Sequence, residues 1–230
     1  MNTPYPIVRS GLNDQIYERL RDRILAGDPA PGTRIHIDSL CRDYSVSRTP
    51  VKDALRLLQG DGLVDLRPRS GTFVRQPTAQ DLIEVFGLRQ VLEEYAAEGV
   101  IRNITSQETA LLRRLVGRGG RVIARAHVLD AWSEFLLIDQ RFHDLLITAA
   151  DNRHLLDLYR RLKAHNLVAL VRFPDTPARM KRAHTDHLEI LEATKRRDLK
   201  GYLGAIRGHL ENAQTNLLRH LSKVEGRPER

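Results

Sequence analysis

Apolar residues recur at helical spacing through most of this chain, and the exceptions fall in one short stretch near its first third. Leu12, Ile16, Leu20 and Ile24 repeat every four residues, which predicts a helix over Asn13–Ala26 with Asn13 capping its start and Gly27 its end. The loop "GDPAPGTRI" separates it from a short helix over Asp38–Tyr44, with Leu40 and Cys41 expected to face inward. In "SRTPVKDALRLLQG" Ser47 is the expected N-cap and Pro50 falls in the first turn, where proline is tolerated. Val51, Ala54, Leu55 and Leu58 form the buried face, and Gly60 is expected to end the helix. The pattern then changes. Leu63–Arg67 and Thr72–Arg75 have strand character around the turn signal "RPRSG".

Three helices and a hairpin within about 65 residues outline a winged helix-turn-helix. This assigns 10–75 to a DNA-binding domain and "QPT" at 76–78 to a linker. Everything beyond returns to helical spacing. Helices are predicted over 79–102, 106–126, 130–149, 153–171, 177–196 and 199–221, and Thr78/Asp81 and Thr105/Glu108 have capping-box spacing. "GRGG" at 117–120 predicts a kink or fraying in the second of these, and Asp151-Asn152 and Phe173-Pro174 predict breaks. The fold class is therefore mainly α, with an N-terminal winged helix-turn-helix followed by an all-α antiparallel bundle over 79–222 that can enclose a cavity. Residues 223–230 read as a frayed tail.

Composition narrows the partners. The 230 residues carry a formal net charge of +8, which favours a polyanion such as DNA. A single cysteine, Cys41, excludes a disulfide framework and any multi-cysteine zinc module. The first residues have no basic-then-apolar signal pattern, and no apolar run is long enough to span a membrane. These features predict a cytoplasmic protein with no membrane partner.

The start of the third helix carries donors rather than bulk. Arg48 can fork onto a guanine edge or a phosphate, Thr49 can bond to either, and Lys52 lies one turn further on the same side. Arg67 and Arg69, flanking Pro68, could reach a neighbouring groove or backbone. The competing reading is a solvated, basic helix start, and Asp53, Asp61 and Asp65 dilute the charge. The stretch "SVSRTPVKDALRLLQGDGLVDLRPRSGTFV" resembles, without a gap, the DNA-binding domain of the GntR family of bacterial transcription regulators. The resemblance implies that Ser47, Arg48, Thr49, Lys52 and wing Gly71 sit where relatives contact operator DNA. Two departures stand out. Lys52-Asp53 replaces the commoner Arg-Glu, and Asp38 occupies a position often basic in relatives, so one phosphate contact is expected to be missing.

In the helical half, "FLLIDQRFHDLL" puts Asp139 and His143 four apart on one helix face, where a carboxylate and an imidazole can chelate one cation. His187 and His209 lie on the last two predicted helices. An O/N/N/N set suits Zn²⁺, with Ni²⁺ or Mn²⁺ as alternatives. Spacing alone does not bring the two later histidines to the pair, and one Asp/His pair is commonly just solvated. The segments "GLRQVLE", "IDQRFHDLL", "DNRHLLDLYRRL", "DHLEILEA" and "GHLENA" resemble the FCD ligand-binding domain of FadR-like members, closer in length to the six-helix VanR type. That resemblance implies that Asp139, His143, His187 and His209 are the metal ligands. It also aligns Arg89 with an arginine that lines the effector cavity. A salt bridge to Glu93, four residues on, is an equally good reading of Arg89. His184, three residues before His187, is a neighbour of the ligands or a competing ligand, with neighbour or bystander the favoured reading, and His127, His154, His165 and His220 read as ordinary residues.

No G-x-S-x-G, H-E-x-x-H or P-loop stretch is present, and Glu189 and Glu211 follow their histidines by two, away from the metal face. The expectation is a non-enzymatic, homodimeric regulator that binds an inverted repeat and is released by a small carboxylate. The alternatives are a metal-dependent hydrolase and a nonspecific architectural DNA-binding protein.

Overall fold

The structure is a computed structural model that describes the backbone of residues 11–125, 131–172 and 177–225, and the side chains of 11–125, 131–162, 177–219, 221 and 222. The expected break at Phe173-Pro174, His127, the side chains of His165 and His220, and residues 226–230 lie outside it. The chain divides into two compact units, 1–76 and 77–230.

The first unit holds α1 (Leu12–Leu25), β1 (Arg34–Ile35), α2 (Ile37–Tyr44), α3 (Arg48–Gly60), β2 (Val64–Arg67) and β3 (Gly71–Val74). Its core is the predicted one except at Leu12, which is 50% exposed at the start of α1. Ile16, Leu20 and Ile24 of α1 meet Val51, Ala54, Leu55 and Leu58 of α3, all essentially solvent-free. Each such large side chain stabilises the fold by ~1.5–3 kcal/mol. Helix α1 begins one residue early: Gly11 is its N-cap, its N–H donating to Asp14 Oδ2 at 2.9 Å, so Asn13 lies inside the helix. Helix α3 runs through Gly60, and Gly62, at φ +67°, makes the turn that ends it. Cys41 is half-buried, and only Leu40 of the expected pair is buried. The sheet has a third strand that periodicity could not reveal, because β1 is two residues long. It pairs antiparallel with β3 (Arg34 opposite Phe73, Ile35 opposite Thr72), giving the order β1-β3-β2.

The second unit is a bundle of α4 (Ala79–Asn103), α5 (Ser106–Ala124), α6 (Ala131–Ala149), α7 (Arg153–Arg172), α8 (Pro177–Lys195) and α9 (Leu199–Glu225). Both capping boxes form. Thr78 Oγ1 accepts from Asp81 N–H at 3.1 Å, and Thr105 Oγ1 from Glu108 N–H at 3.2 Å. Helix α4 packs on α9, α7 and α6, while α8 packs on α9 and α5. Arg197 holds the end of α4 by donating to the carbonyls of Arg102 and Ile104, each at 3.0 Å. The glycine string at 117–120 does not break α5, which continues to Ala124. A Cβ on Gly120 would stand 3.2 Å from His184 Nε2, and one on Gly119 3.6 Å from the Phe135 ring. The glycines let α5 approach α6 and α8 closely, and that packing outweighs their low helix propensity.

Candidate functional site

Two groups of side chains carry chemistry, one in each unit. In the first, Ser47 is the N-cap of α3 but makes no side-chain cap hydrogen bond, and Ser47, Arg48, Thr49 and Lys52 are all exposed at the helix entrance. Arg48 pairs with Asp38 of α2, its Nη2 2.6 Å and Nε 2.8 Å from Oδ1. In the wing, Arg67 stacks its guanidinium 4.7 Å over the Phe73 ring and lies 3.6 Å from Asp65. Arg69 sits at the β2–β3 turn with φ +62°. Gly71 has φ +117°, and a Cβ there would meet Arg34 Nε at 2.9 Å. Arg34, Arg42, Arg48, Lys52 and Gly71 line one groove of about 400 Å³. Arg34 and Arg42 join the predicted residues: the place of Arg34 is visible only once β1 exists, and Arg42 lies on the predicted helix α2.

The second group is buried. Asp139 and His143 of α6, His187 of α8 and His209 of α9 offer one ligand atom each, and these atoms lie within 4.8 Å of one another. His187 Nε2 is 3.2 Å from Asp139 Oδ1, while His143 Nε2 and His209 Nε2 are each 3.9 Å from it. The three histidines are 1–3% exposed. Phe142 stacks on His187 at 4.4 Å between ring centres and fixes that ring's plane.

A further layer orients the imidazoles. Glu93 Oε2 stands 2.9 Å from His143 Nδ1, while Glu93 Oε1 accepts from Arg89 Nε at 2.6 Å and Tyr159 Oη at 3.1 Å. Asp186 Oδ2 lies 3.6 Å from His209 Nδ1 and accepts from Asn212 at 3.1 Å. A neutral His143 whose Nδ1–H is directed at Glu93 would present its Nε2 lone pair to the cluster. That lone pair meets His209 Nε2 at 3.1 Å. Were His209 to hold its proton on Nδ1, facing Asp186, two lone pairs would oppose each other, an arrangement a cation between them relieves. His187 Nε2 and His209 Nδ1 are buried without a hydrogen bond.

Electrostatics favour the ligating forms. Burial pushes His209 down to about 4, with Asp186 opposing and His187 and His143 adding to the shift. Burial also lowers His187, more than the neighbouring Asp139 restores. For Asp139, burial disfavours the charge, yet His187, His143 and Arg89 outweigh it and hold the carboxyl below its ordinary range. Glu93 is held ionised in the same way by His143 and Arg89 against the cost of burial. An ionised Asp139 beside His187 and His209 held toward the neutral form supplies donors in the state that a borderline cation such as Zn²⁺ takes.

Beside this cluster lies a cavity of about 50 Å³, lined among others by Arg89, Trp132, Asp139, His209, Asn212 and Asn216. A water needs ~10–15 Å³ on this measure, so the space suits a small polar group. Trp132 Nε1 is buried there without a hydrogen-bond partner. Arg89 pairs with Glu93 and also lines this cavity. His184 stands apart against Gly119 and Gly120 of α5. Glu189 and Glu211 are exposed on other faces of α8 and α9. Glu93, Asp186 and Trp132 were not recognised as site residues in the sequence. Glu93 was noticed only as a partner for Arg89, since nothing in the chain's order links it to His143, fifty residues away.

Comparison with known proteins gives the family. Residues 12–74 match the model for bacterial regulatory proteins of the gntR family, and residues 84–212 match the FCD domain. The uncharacterized HTH-type transcriptional regulator YdhC of Bacillus subtilis (strain 168) is 34% identical over 144 residues, a match that spans 63% of each chain. The HTH-type transcriptional repressor RspR of Escherichia coli (strain K12) is 29% identical over 204 residues, 87% of this chain and 86% of that one. Among solved structures, E. coli McbR/YncC superposes with a TM-score of 0.79 at 20% identity, covering 92% of this chain and 99% of that chain, which speaks for the fold. Among the described residues, no helix is long and apolar enough to cross a membrane. With a winged helix in one unit and an FCD bundle in the other, the chain belongs to the GntR family of bacterial transcriptional regulators, a family of DNA-binding regulators rather than enzymes.

Proposed function

We propose that this regulator is a metabolite-responsive repressor that binds an inverted-repeat operator as a homodimer and is released by a small carboxylate. In this reading Asp139, His143, His187 and His209 hold a divalent metal, Zn²⁺ first, with Ni²⁺ or Mn²⁺ as alternatives. When bound, the ion supplies positive charge at the wall of the cavity. Ser47, Arg48, Thr49 and Lys52 contact the operator, with Arg67, Arg69 and Gly71 of the wing beside them.

The observation that carries the effector reading is that one cavity shares Asp139 and His209 with the donor cluster and Arg89 with the cationic wall. A carboxylate there can take an Arg fork on one side and an ion on the other, while Trp132 offers a further N–H. The repressor reading draws on the similarity to RspR, an HTH-type transcriptional repressor. The dimer reading draws on α4, where Leu88, Val91 and Tyr95 form an exposed stripe at 57%, 65% and 69% accessibility, spaced for one helix face.

The test is operator binding followed by fluorescence anisotropy, with a panel of small organic acids, on protein with and without prior chelation. Release of DNA by at least one acid, lost on chelation and restored by Zn²⁺, is expected. Release that is indifferent to chelation would remove the metal from the effector site.

A further inference from the structure

Arg48 does not enter α3 alone. Two of its nitrogens, Nε and Nη2, converge on Asp38 Oδ1 at 2.8 and 2.6 Å. Both side chains are well exposed, 67% and 59%, and exposed ion pairs contribute little to folding because water and salt screen them. Stability is therefore a weak reason for the pair. Asp38 is also the carboxylate that faces a groove whose other charged walls are Arg34, Arg42, Arg48 and Lys52.

The geometry has a chemical consequence. A guanidinium has five N–H donors, and Asp38 occupies the edge formed by Nε and Nη2. The opposite edge, Nη1 with the second Nη2 hydrogen, remains a fork of the kind that fits guanine O6 and N7. A phosphate brought to that fork would bear its negative charge close to the Asp38 carboxylate, and like charges so placed repel. Guanine O6 and N7 are uncharged acceptors and meet no such repulsion. The same carboxylate limits the rotamers in which Arg48 can swing to the DNA backbone, which lowers the ordering cost of the base-reading pose.

We propose that Asp38 is a specificity-determining residue: it positions Arg48 for a base edge and excludes it from phosphate contacts. Asp38 thereby costs the protein nonspecific affinity and gains discrimination. The inference rests on the reading of α3 as the DNA-contacting helix.

The experiment uses the full chain and two duplexes of equal length and composition, one obtained by selection from a randomised pool with the wild-type protein, the other its scrambled version. Affinity for each is followed against salt for wild type, Asp38→Asn, Arg48→Ala and the double variant. Asp38→Asn removes the charge and keeps the shape at an exposed site. It is expected to bind the scrambled duplex about tenfold more tightly and with a salt slope steeper by roughly 0.9, the signature of one added phosphate contact. Binding to the selected duplex should gain less, so the specificity ratio falls. In the Arg48→Ala background the Asn substitution should leave the ratio unchanged. An unchanged ratio in Asp38→Asn, or the same fall with Arg48 absent, would overturn the role of Asp38 while leaving the helix reading intact. Binding of the selected duplex by Arg48→Ala as tightly as by wild type would remove the helix reading itself, and the inference with it.

Discussion

Glu93 is the residue on which the buried centre turns. One carboxylate oxygen serves His143 and the other serves Arg89 and Tyr159, so a single side chain connects the Asp/His cluster to the cavity wall. Its charge, kept despite full burial, fixes which nitrogen of His143 is free to ligate. Glu93→Gln keeps the volume but weakens that orientation. Metal affinity measured by chelator competition is expected to fall by roughly 10–100-fold, with helical content unchanged. An unaltered affinity would mean that the His143 tautomer is set elsewhere. At the other unit, Arg48→Ala should lower specific DNA binding by about 1–3 kcal/mol and flatten sequence preference at one base position, read by competition among single-base variants. Uniform loss across all sequences would make Arg48 a phosphate contact instead.

At the scale of elements, local signals and tertiary signals had different fates. The capping boxes at Thr78 and Thr105 and the buried faces of α1 and α3 were legible, since a cap or an apolar stripe is written within one or two turns. Strand β1 was not, because a two-residue strand exists only through its partner β3. At 117–120 the low helix propensity of the glycines is local, while the close approach of His184 and Phe135 that they permit, in a helix that continues to Ala124, is not. Spacing put Asp139 and His143 on one helix face without marking them as ligands. His187 and His209 could be joined to them only by the fold, or by resemblance to relatives that share it. Wing Gly71 gives this scale its test. Its φ of +117° and the Arg34 guanidinium 2.9 Å from a Cβ position leave no relaxed place for a side chain. Gly71→Ala is expected to destabilise the winged unit by about 1–3 kcal/mol, seen as a lower unfolding midpoint of that unit, and to weaken DNA binding with it. Wild-type stability would show that the wing rearranges freely.

In the function proposed above, the buried Asp/His centre of the FCD unit sets the response of the DNA-binding unit. His209→Ala should therefore abolish metal uptake and effector release while operator binding in the absence of effector persists. Coupling is reciprocal, so operator DNA must weaken effector binding by the factor by which effector weakens operator binding. Equal effector affinity with and without operator would deny the coupling. The central claim is the metal itself, and its direct measure is elemental mass spectrometry on untagged protein purified without chelator, beside an Asp139→Ala control. About one divalent ion per protomer is expected in the wild type and little in the control. No metal in the wild type, or as much in the control, would contradict it.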